Sequence, residues 1–301
     1  MVRKLLSLCA VLALAAAMPS HAGPRVLATT SDWGSLATEL GGDKVSVYTA
    51  TSALQDVHQV DAKPSLVARA RTADLVVANG AELEAGWLPV LLQQSGNPKI
   101  QPGNPGYFEA ASAVRLIEVP TALDRSMGDI HALGNPHLHL DPRNIAAVGK
   151  ALTARLAAID PANAQYYQSR GADFQARWAV AMARWDQQGT SLKGAKVVVI
   201  HRDQAYLCHW LGLVQVATLE PKPGVPPSAG YLAELVTKLS ANRPKMILRN
   251  AYNDPKAADW LAQKIDAPVV TLPFSVGGIP EAKDLFGLFD VTLGRLLAAG
   301  Q

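Results

Sequence analysis

The sequence predicts an α/β protein made of two strand-rich halves joined by a long helix. Three observations predict this fold. Short apolar runs alternate with helical patterns in both halves, no strand pattern occurs between 143 and about 188, and 49% of the 301 residues are hydrophobic while 18% are charged. This composition excludes a disordered chain and is sufficient for a well-buried core. A formal net charge of +3, without a dense basic run, argues against nucleic-acid binding.

The first 22 residues have the pattern of a secretory signal peptide. A charged start at Arg3 and Lys4 is followed by an apolar stretch, 5–18, and by a small-residue cleavage pattern at 20–22. The apolar stretch is too short and wrongly flanked for a membrane-spanning helix. Once this segment is removed, Cys208 is the remaining cysteine, so no internal disulfide can form. We therefore expect a periplasmic protein that is stabilised by its core.

The remaining chain divides into two similar layouts and a helical middle. In the first half we expect strands Val26–Thr29, Val45–Tyr48, Leu75–Ala78 and Val114–Val119, with helices Trp33–Leu40, Pro64–Arg71 and Glu82–Gln94. In the second half we expect strands Val197–Ile200, Val214–Thr218, Met246–Leu248 and Val269–Leu272, with helices Ser228–Leu239, Pro255–Ile265 and Glu281–Ala299. The predicted domains are an N-terminal lobe over 23–142, connecting helices over 143–190 and a C-terminal lobe over 191–301.

The middle segment predicts the long helix that joins the lobes. Asp160 followed by Pro161 combines an N-cap with proline at the first helical position, which begins a helix. Aromatic residues then recur at helical intervals, and a helix of roughly 27 residues would be about 40 Å long.

The histidines are the residues most able to carry chemistry, because the common enzyme motifs are missing. His201 directly follows a strand, at the edge where open α/β sheets bind ligands. His58 lies in a polar loop after the second strand, and His137 lies in a loop that enters a helix. Neutral imidazole suits zinc, so the three side chains could form a metal site in the crevice between the lobes. Spacing alone supports two interpretations equally: a metal site, and three ordinary polar histidines.

The evidence that three further histidines bind a metal is weaker. His139 would join His137 if residues 138–140 were extended, because alternate side chains of an extended segment share a face. We interpret His131 and His209 as surface or structural residues, the first in a loop and the second within a helix.

Several motifs together resemble the zinc/manganese-type solute-binding proteins of bacterial ABC importers. The resemblance covers nearly the whole chain after residue 22, and it depends on Asp56-Val-His58, Lys63-Pro-Ser65, the segment 73–84, Gly134-Asn-Pro-His137, Leu140-Asp-Pro142, His201-Arg-Asp-Gln-Ala-Tyr206, Leu211-Gly-Leu213 and the segment 220–228. It implies two lobes of mostly parallel sheet, a rigid connecting helix and a metal site in the cleft between the lobes. It also implies that His58, His137 and His201 bind the metal.

The resemblance further implies the partners and the cargo. The expected cargo is Zn2+, with Mn2+ as the alternative, and the expected partner is a membrane permease. A periplasmic metallochaperone is a further candidate partner. The chain is expected to be a monomer that binds no nucleic acid.

The fourth metal ligand is where this sequence departs from that family. Its members commonly add a carboxylate from a loop after a late strand, but the segment Leu272–Gly278 contains no acid, and Glu281 and Asp284 follow at a different offset. We therefore expect water or His139 in the fourth position. Three imidazoles without a carboxylate favour zinc over manganese, which prefers harder oxygen ligands.

Two other functions fit parts of the pattern. A three-histidine zinc site with a bound water also describes a hydrolase, for which Asp203 or Glu82 could act as general base. A receptor for an organic solute would need an aromatic-lined cleft, and the aromatic content of 6% gives it little support.

Overall fold

A computed structural model of the protein describes residues 23–58, 60–121 and 131–300. The expected signal peptide, residues 1–22, lies outside the described residues and stays a prediction. Within the described part of the chain, no helix combines the length and the apolar character that crossing a membrane requires.

Two four-stranded parallel sheets form the framework. The first has the order β2-β1-β3-β4, with β1 at Arg25–Ala28, β2 at Ser46–Thr49, β3 at Leu75–Ala78 and β4 at Tyr107–Glu109. The second has the equivalent order β6-β5-β7-β8, with β5 at Lys196–Val199, β6 at Val214–Thr218, β7 at Met246–Asn250 and β8 at Val269–Leu272. All the ladders in both sheets are parallel, so each sheet gathers the carboxyl ends of its strands at one edge.

Nine helices connect or cover the strands in the described residues. They are α1 Ser31–Gly41, α2 Pro64–Thr72, α3 Leu88–Ser95, α4 Pro142–Ile159, α5 Ala164–Gly189, α6 Ala205–Leu211, α7 Ala229–Ser240, α8 Lys256–Ile265 and α9 Leu285–Ala299. Strands such as β3 are buried on both faces because helices cover both sides of the sheet, which explains their continuous apolar sequence.

The long helix α5 packs against α4, α1 and α9 and contributes to a core that both sheets share. Its buried residues recur every three or four positions, and they include Phe174, Trp178 and Trp185. The rings of Trp178 and Trp185 lie 5.1 Å apart in an edge-to-face arrangement. One hydrophobic cluster runs from Val26 in β1 through α5 to Val197 in β5. The domain boundaries expected at 142/143 and 190/191 stay predictions.

Three predicted elements are wrong. Residues 114–119 are not a strand, since β4 at Tyr107–Glu109 takes that place in the sheet and Glu118 has a φ of 52°, which a strand cannot contain. The helix predicted from Glu82 begins at Leu88, because Glu82 itself has a φ of 65°. The last helix begins at Leu285 rather than at 281, with Asp284 as its N-cap.

Candidate metal centre

Three of the four histidines predicted to bind metal come together. His58, His137 and His201 each place one ring nitrogen within 4.8 Å of the others. His58 lies on the loop after β2, His137 lies just before α4, and His201 follows β5. Two of these positions lie after the carboxyl ends of strands, β2 in the first sheet and β5 in the second, so each sheet contributes a ligand to the site.

The separation of the rings is close to that of ligands on one ion. Ring centres are 5.4 Å apart for His58 and His137, 5.5 Å for His137 and His201, and 6.0 Å for His58 and His201. Because zinc–nitrogen bonds are about 2.0–2.1 Å long and the ligands are tetrahedral, two imidazole centres on one zinc ion lie about 5 Å apart. Small side-chain movements would therefore bring the three rings onto one ion.

Carboxylates orient two of the three imidazoles. Asp56 Oδ1 lies 2.9 Å from Nδ1 of His58 and accepts a second hydrogen bond from the His58 backbone N–H. Glu220 Oε2 lies 2.6 Å from Nδ1 of His201 and also accepts a bond from the N–H of Gly224. A carboxylate at Nδ1 keeps the proton there and leaves Nε2 as the metal-binding atom. The sequence contains Asp56 and Glu220 in the motifs that carry the family resemblance, but it did not indicate this role.

His137 is the most deeply placed of the three. Its side chain is 2% exposed, and neither ring nitrogen has a hydrogen-bond partner among the described residues. Burial holds the pKa of His137 well below its ordinary value, so the ring stays neutral. A buried polar group without a partner is costly, and a metal ion would supply the missing interaction.

Asn135 connects the loops that carry His137 and His201. Its Oδ1 accepts a hydrogen bond from the His137 backbone N–H at 3.0 Å, and its Nδ2 donates to the carbonyl of Arg202 at 2.8 Å. Asn79, in turn, donates to the carbonyl of Pro136 at 2.8 Å. The site is therefore held by hydrogen bonds that do not depend on a bound ion.

Charge is distributed unevenly over the site. Burial acts to lower the pKa of His201, but the hydrogen bond that its Nδ1–H donates to Glu220 and the charges of Asp203, Glu220 and Asp56 outweigh burial and raise that pKa. Asp203 is itself buried, and it accepts hydrogen bonds from Asn250 and from the hydroxyl of Tyr252. Three acids thus surround a cluster of imidazoles and favour a cation within it.

His139 does not join the cluster. Residues 138–140 form a 3-10 turn rather than the extended segment that would place His139 beside His137. The His139 Nε2–H donates to the carbonyl of Phe274 at 3.0 Å and lies 3.9 Å from Asp32. The condition under which His139 would share a face with His137 is therefore not met, because the turn that leads into α4 directs His139 to the loop after β8.

His131 is the residue that sequence reasoning missed. Its ring stacks on His58 with centres 5.3 Å apart, and it lies 6.4 Å from the ring of His137. Burial lowers the pKa of His131 to about 4. No sequence motif marks His131. His209 is exposed, as expected for a surface position.

Comparison with known proteins then identifies the family. Residues 26–299 match the family described as "Zinc-uptake complex component A periplasmic". The chain belongs to this family. The zinc-uptake component A proteins are substrate-binding components of ABC metal importers and not enzymes, so the hydrolase alternative is excluded.

Individual relatives differ in the metal that their names give. The high-affinity zinc uptake system protein ZnuA of Bacillus subtilis (strain 168) is 25% identical over 247 residues, which are 80% of this chain and 75% of that relative. The manganese ABC transporter substrate-binding lipoprotein PsaA of Streptococcus anginosus is 26% identical over 153 residues, which are 50% of this chain and 46% of that relative.

A solved structure confirms the predicted fold. A crystal structure of ZnuA superposes with a TM-score of 0.77 at 21% identity, covering 93% of this chain and 100% of that one. The two helix-flanked parallel sheets and the long connecting helix are therefore the fold of the zinc-uptake component A family.

The loop after β8 differs from what the family resemblance implied. Its position 274 is a phenylalanine whose ring lies 5.8 Å from His137 and 4.9 Å from His139. Asp284 accepts a hydrogen bond from the N–H of Gly287 at 2.7 Å and so caps α9. This side of the site is therefore closed by an aromatic ring, and Asp284 has a structural function.

Proposed function

We propose that this chain captures Zn2+ in the periplasm through His58, His137 and His201 and delivers it to the permease of an ABC importer. The observation that supports this proposal best is the burial of the His137 ring. Its two ring nitrogens have no hydrogen-bond partner among the described residues. Its neighbours His58 and His201 each have Nδ1 engaged by a carboxylate, which leaves Nε2 for the ion.

Zinc fits the donor set better than manganese. The described ligand cluster consists of three imidazoles and contains no carboxylate. Neutral nitrogen donors suit zinc, whereas manganese sites take hard oxygen ligands. The relatives named for zinc and for manganese are similar to this chain at 25% and 26% identity, so the choice of metal depends on the chemistry of the site.

Exposure of the ligands gives a direction of entry. The side chains of His58, His201 and His137 are 26%, 17% and about 2% exposed. An ion would therefore meet His58 and His201 first and complete its coordination at His137. The long helix α5 limits closure to a small tilt or a loop rearrangement, because a helix of 26 residues packed in a shared core is stiff.

The remaining parts of the proposal concern the cellular setting. Residues 1–22 direct export, the mature chain acts as a monomer, and the metal reaches it as a free ion or from a periplasmic metallochaperone. The division into lobes at 23–142 and 191–301, connected by 143–190, belongs to the same proposal.

Metal analysis of protein purified without an affinity tag tests the function. We expect about one zinc per chain and a strong loss of zinc affinity in His137→Ala, measured by competition with a chelator. His209→Ala, at an exposed position on α6, is the matched control and should bind as the unchanged protein does. Preferential binding of manganese, or unchanged zinc affinity in His137→Ala, would contradict the proposal.

A further inference from the structure

We infer that His131 is the fourth metal ligand, so that the cargo ion is held by four imidazoles. This inference rests on the proposed function, because it adds a ligand to the cluster of His58, His137 and His201. It replaces both expectations for the fourth position, which were water and His139.

The placement of the ring supports this assignment. The ring centre of His131 lies 5.3 Å from that of His58 and 6.4 Å from that of His137. Two imidazoles on one zinc ion have centres about 5 Å apart, so the first distance fits directly and the second requires an inward movement of about 1 Å. The spread is similar within the cluster itself, where His58 and His201 are 6.0 Å apart.

His131 also has an unused donor atom. Its Nε2 is buried and has no hydrogen-bond partner among the described residues, a property that it shares with both ring nitrogens of His137. For one nitrogen of each ring, the cost of having no partner is removed if that nitrogen binds a metal ion.

The backbone beside His131 is anchored close to the site. Glu82 accepts a hydrogen bond from the N–H of Ala132 at 2.5 Å, and the carbonyl of His131 accepts one from Gly134 at 3.2 Å. Glu82 belongs to the loop after β3, 50 residues away in sequence. These bonds hold His131 over His58.

Other donors near the site are already engaged. The carboxylates of Asp56 and Glu220 are bonded to His58 and His201, and Asp203 is bonded to Asn250 and Tyr252. His139 donates to the carbonyl of Phe274. Outside the three predicted ligands, His131 is therefore the described histidine beside the cluster that has a buried ring nitrogen without a hydrogen-bond partner.

A four-imidazole site has a consequence for charge. Four neutral ligands do not reduce the charge of a divalent ion, but Asp56 and Glu220 lie directly behind two of them and provide two negative charges. This arrangement suits Zn2+, which accepts nitrogen donors, and gives manganese no oxygen ligand from the protein.

The test compares His131→Ala with His209→Ala in the otherwise unchanged chain. We expect His131→Ala to lower zinc affinity about tenfold or more, which is about 1.4 kcal/mol, in competition with a chelator. X-ray absorption of the zinc-loaded proteins should count four imidazoles before the substitution and three after it. His209→Ala should change neither quantity, and thermal melting of the zinc-free proteins checks that each variant folds.

The possible results separate this inference from the proposed function. Three imidazoles in the unsubstituted protein, or unchanged affinity in His131→Ala, would overturn the role of His131 as a ligand. If His137→Ala nevertheless abolishes zinc binding, the proposed function stands without the fourth imidazole. If neither substitution affects zinc binding, both fail.

Discussion

The Nδ1 atom of His201 lies 2.6 Å from Oε2 of Glu220, a residue 19 positions further along the chain. The two residues follow neighbouring strands, since His201 comes after β5 and Glu220 comes after β6. The same Glu220 oxygen accepts a hydrogen bond from the N–H of Gly224, so the position of the carboxylate does not depend on the imidazole alone. Glu220 therefore sets both the orientation of His201 and the nitrogen that faces the ion.

Replacing Glu220 tests this relationship. We expect Glu220→Gln to weaken zinc binding by roughly 10- to 100-fold, the usual effect of removing a carboxylate that orients a ligating histidine. Glu234→Gln, at an exposed position on α7, removes the same charge away from the site and serves as the control. Equal zinc affinities for the two variants, measured by chelator competition, would show that Glu220 does not orient a ligand.

Much of the fold could be predicted because most strands are short apolar runs between polar turns. The predicted bounds of β3, β6 and β8 agree with the structure. The prediction failed at β4, whose three residues, Tyr107–Glu109, are too few to give a pattern. The apolar run at 114–119 was misleading, because hydrophobic residues there pack against the shared core without joining a sheet.

The candidate site was predictable only where a ligand follows a strand or belongs to a recognisable motif. His58, His137 and His201 met that condition. His131 did not, because its position over His58 depends on the contact of the next residue, Ala132, with the distant Glu82. The role of His139 depended on backbone conformation, and the 3-10 turn at 138–140 directs it away from the cluster.

The stability of the zinc-free protein should depend on pH through His137. Because burial lowers the pKa of His137 in the folded state, the unfolded chain binds a proton near pH 6.5 that the folded chain does not. Stability is therefore lost as the pH falls below about 6.5, by up to about 1.4 kcal/mol per pH unit for one proton. The free energy of unfolding, measured with urea from about pH 7.5 to about pH 5, should show this loss, because that range spans the ordinary histidine pKa of about 6.5.

His137→Gln isolates this contribution. The variant should lose less stability over the same pH range, because it no longer has a site that is protonated in the unfolded state alone. Burial also raises the pKa values of the acids Asp203 and Glu84. Their contribution to the pH dependence of stability is the same in both proteins and cancels in the comparison. An unchanged slope would mean that the His137 ring accepts a proton in the folded protein.

Two substitutions near the loop after β8 should affect stability without affecting zinc. His139→Ala leaves the carbonyl of Phe274 without its partner and should cost about 1–3 kcal/mol. Asp284→Ala removes the N-cap of α9 and should cost about 1 kcal/mol. Both should lower the unfolding midpoint in urea while zinc affinity stays within about twofold. A fall of about tenfold in affinity, or about 1.4 kcal/mol, in the aspartate variant would mean that a displaced carboxylate completes the site.

Phe274 offers a way to change the preferred metal. It follows β8, its ring lies 5.8 Å from that of His137, and its φ of 64° is strained for an aromatic residue but tolerated by Asp and Asn. Phe274→Asp brings a hard oxygen donor to the site, so we expect manganese affinity to rise relative to zinc affinity. Phe274→Asn is the matched control, because it has the same shape and backbone preference without the charge. Affinities for both metals, measured by competition with one fluorescent chelator, give the ratio for each variant. The same ratio in both would mean that the introduced carboxylate does not reach the ion.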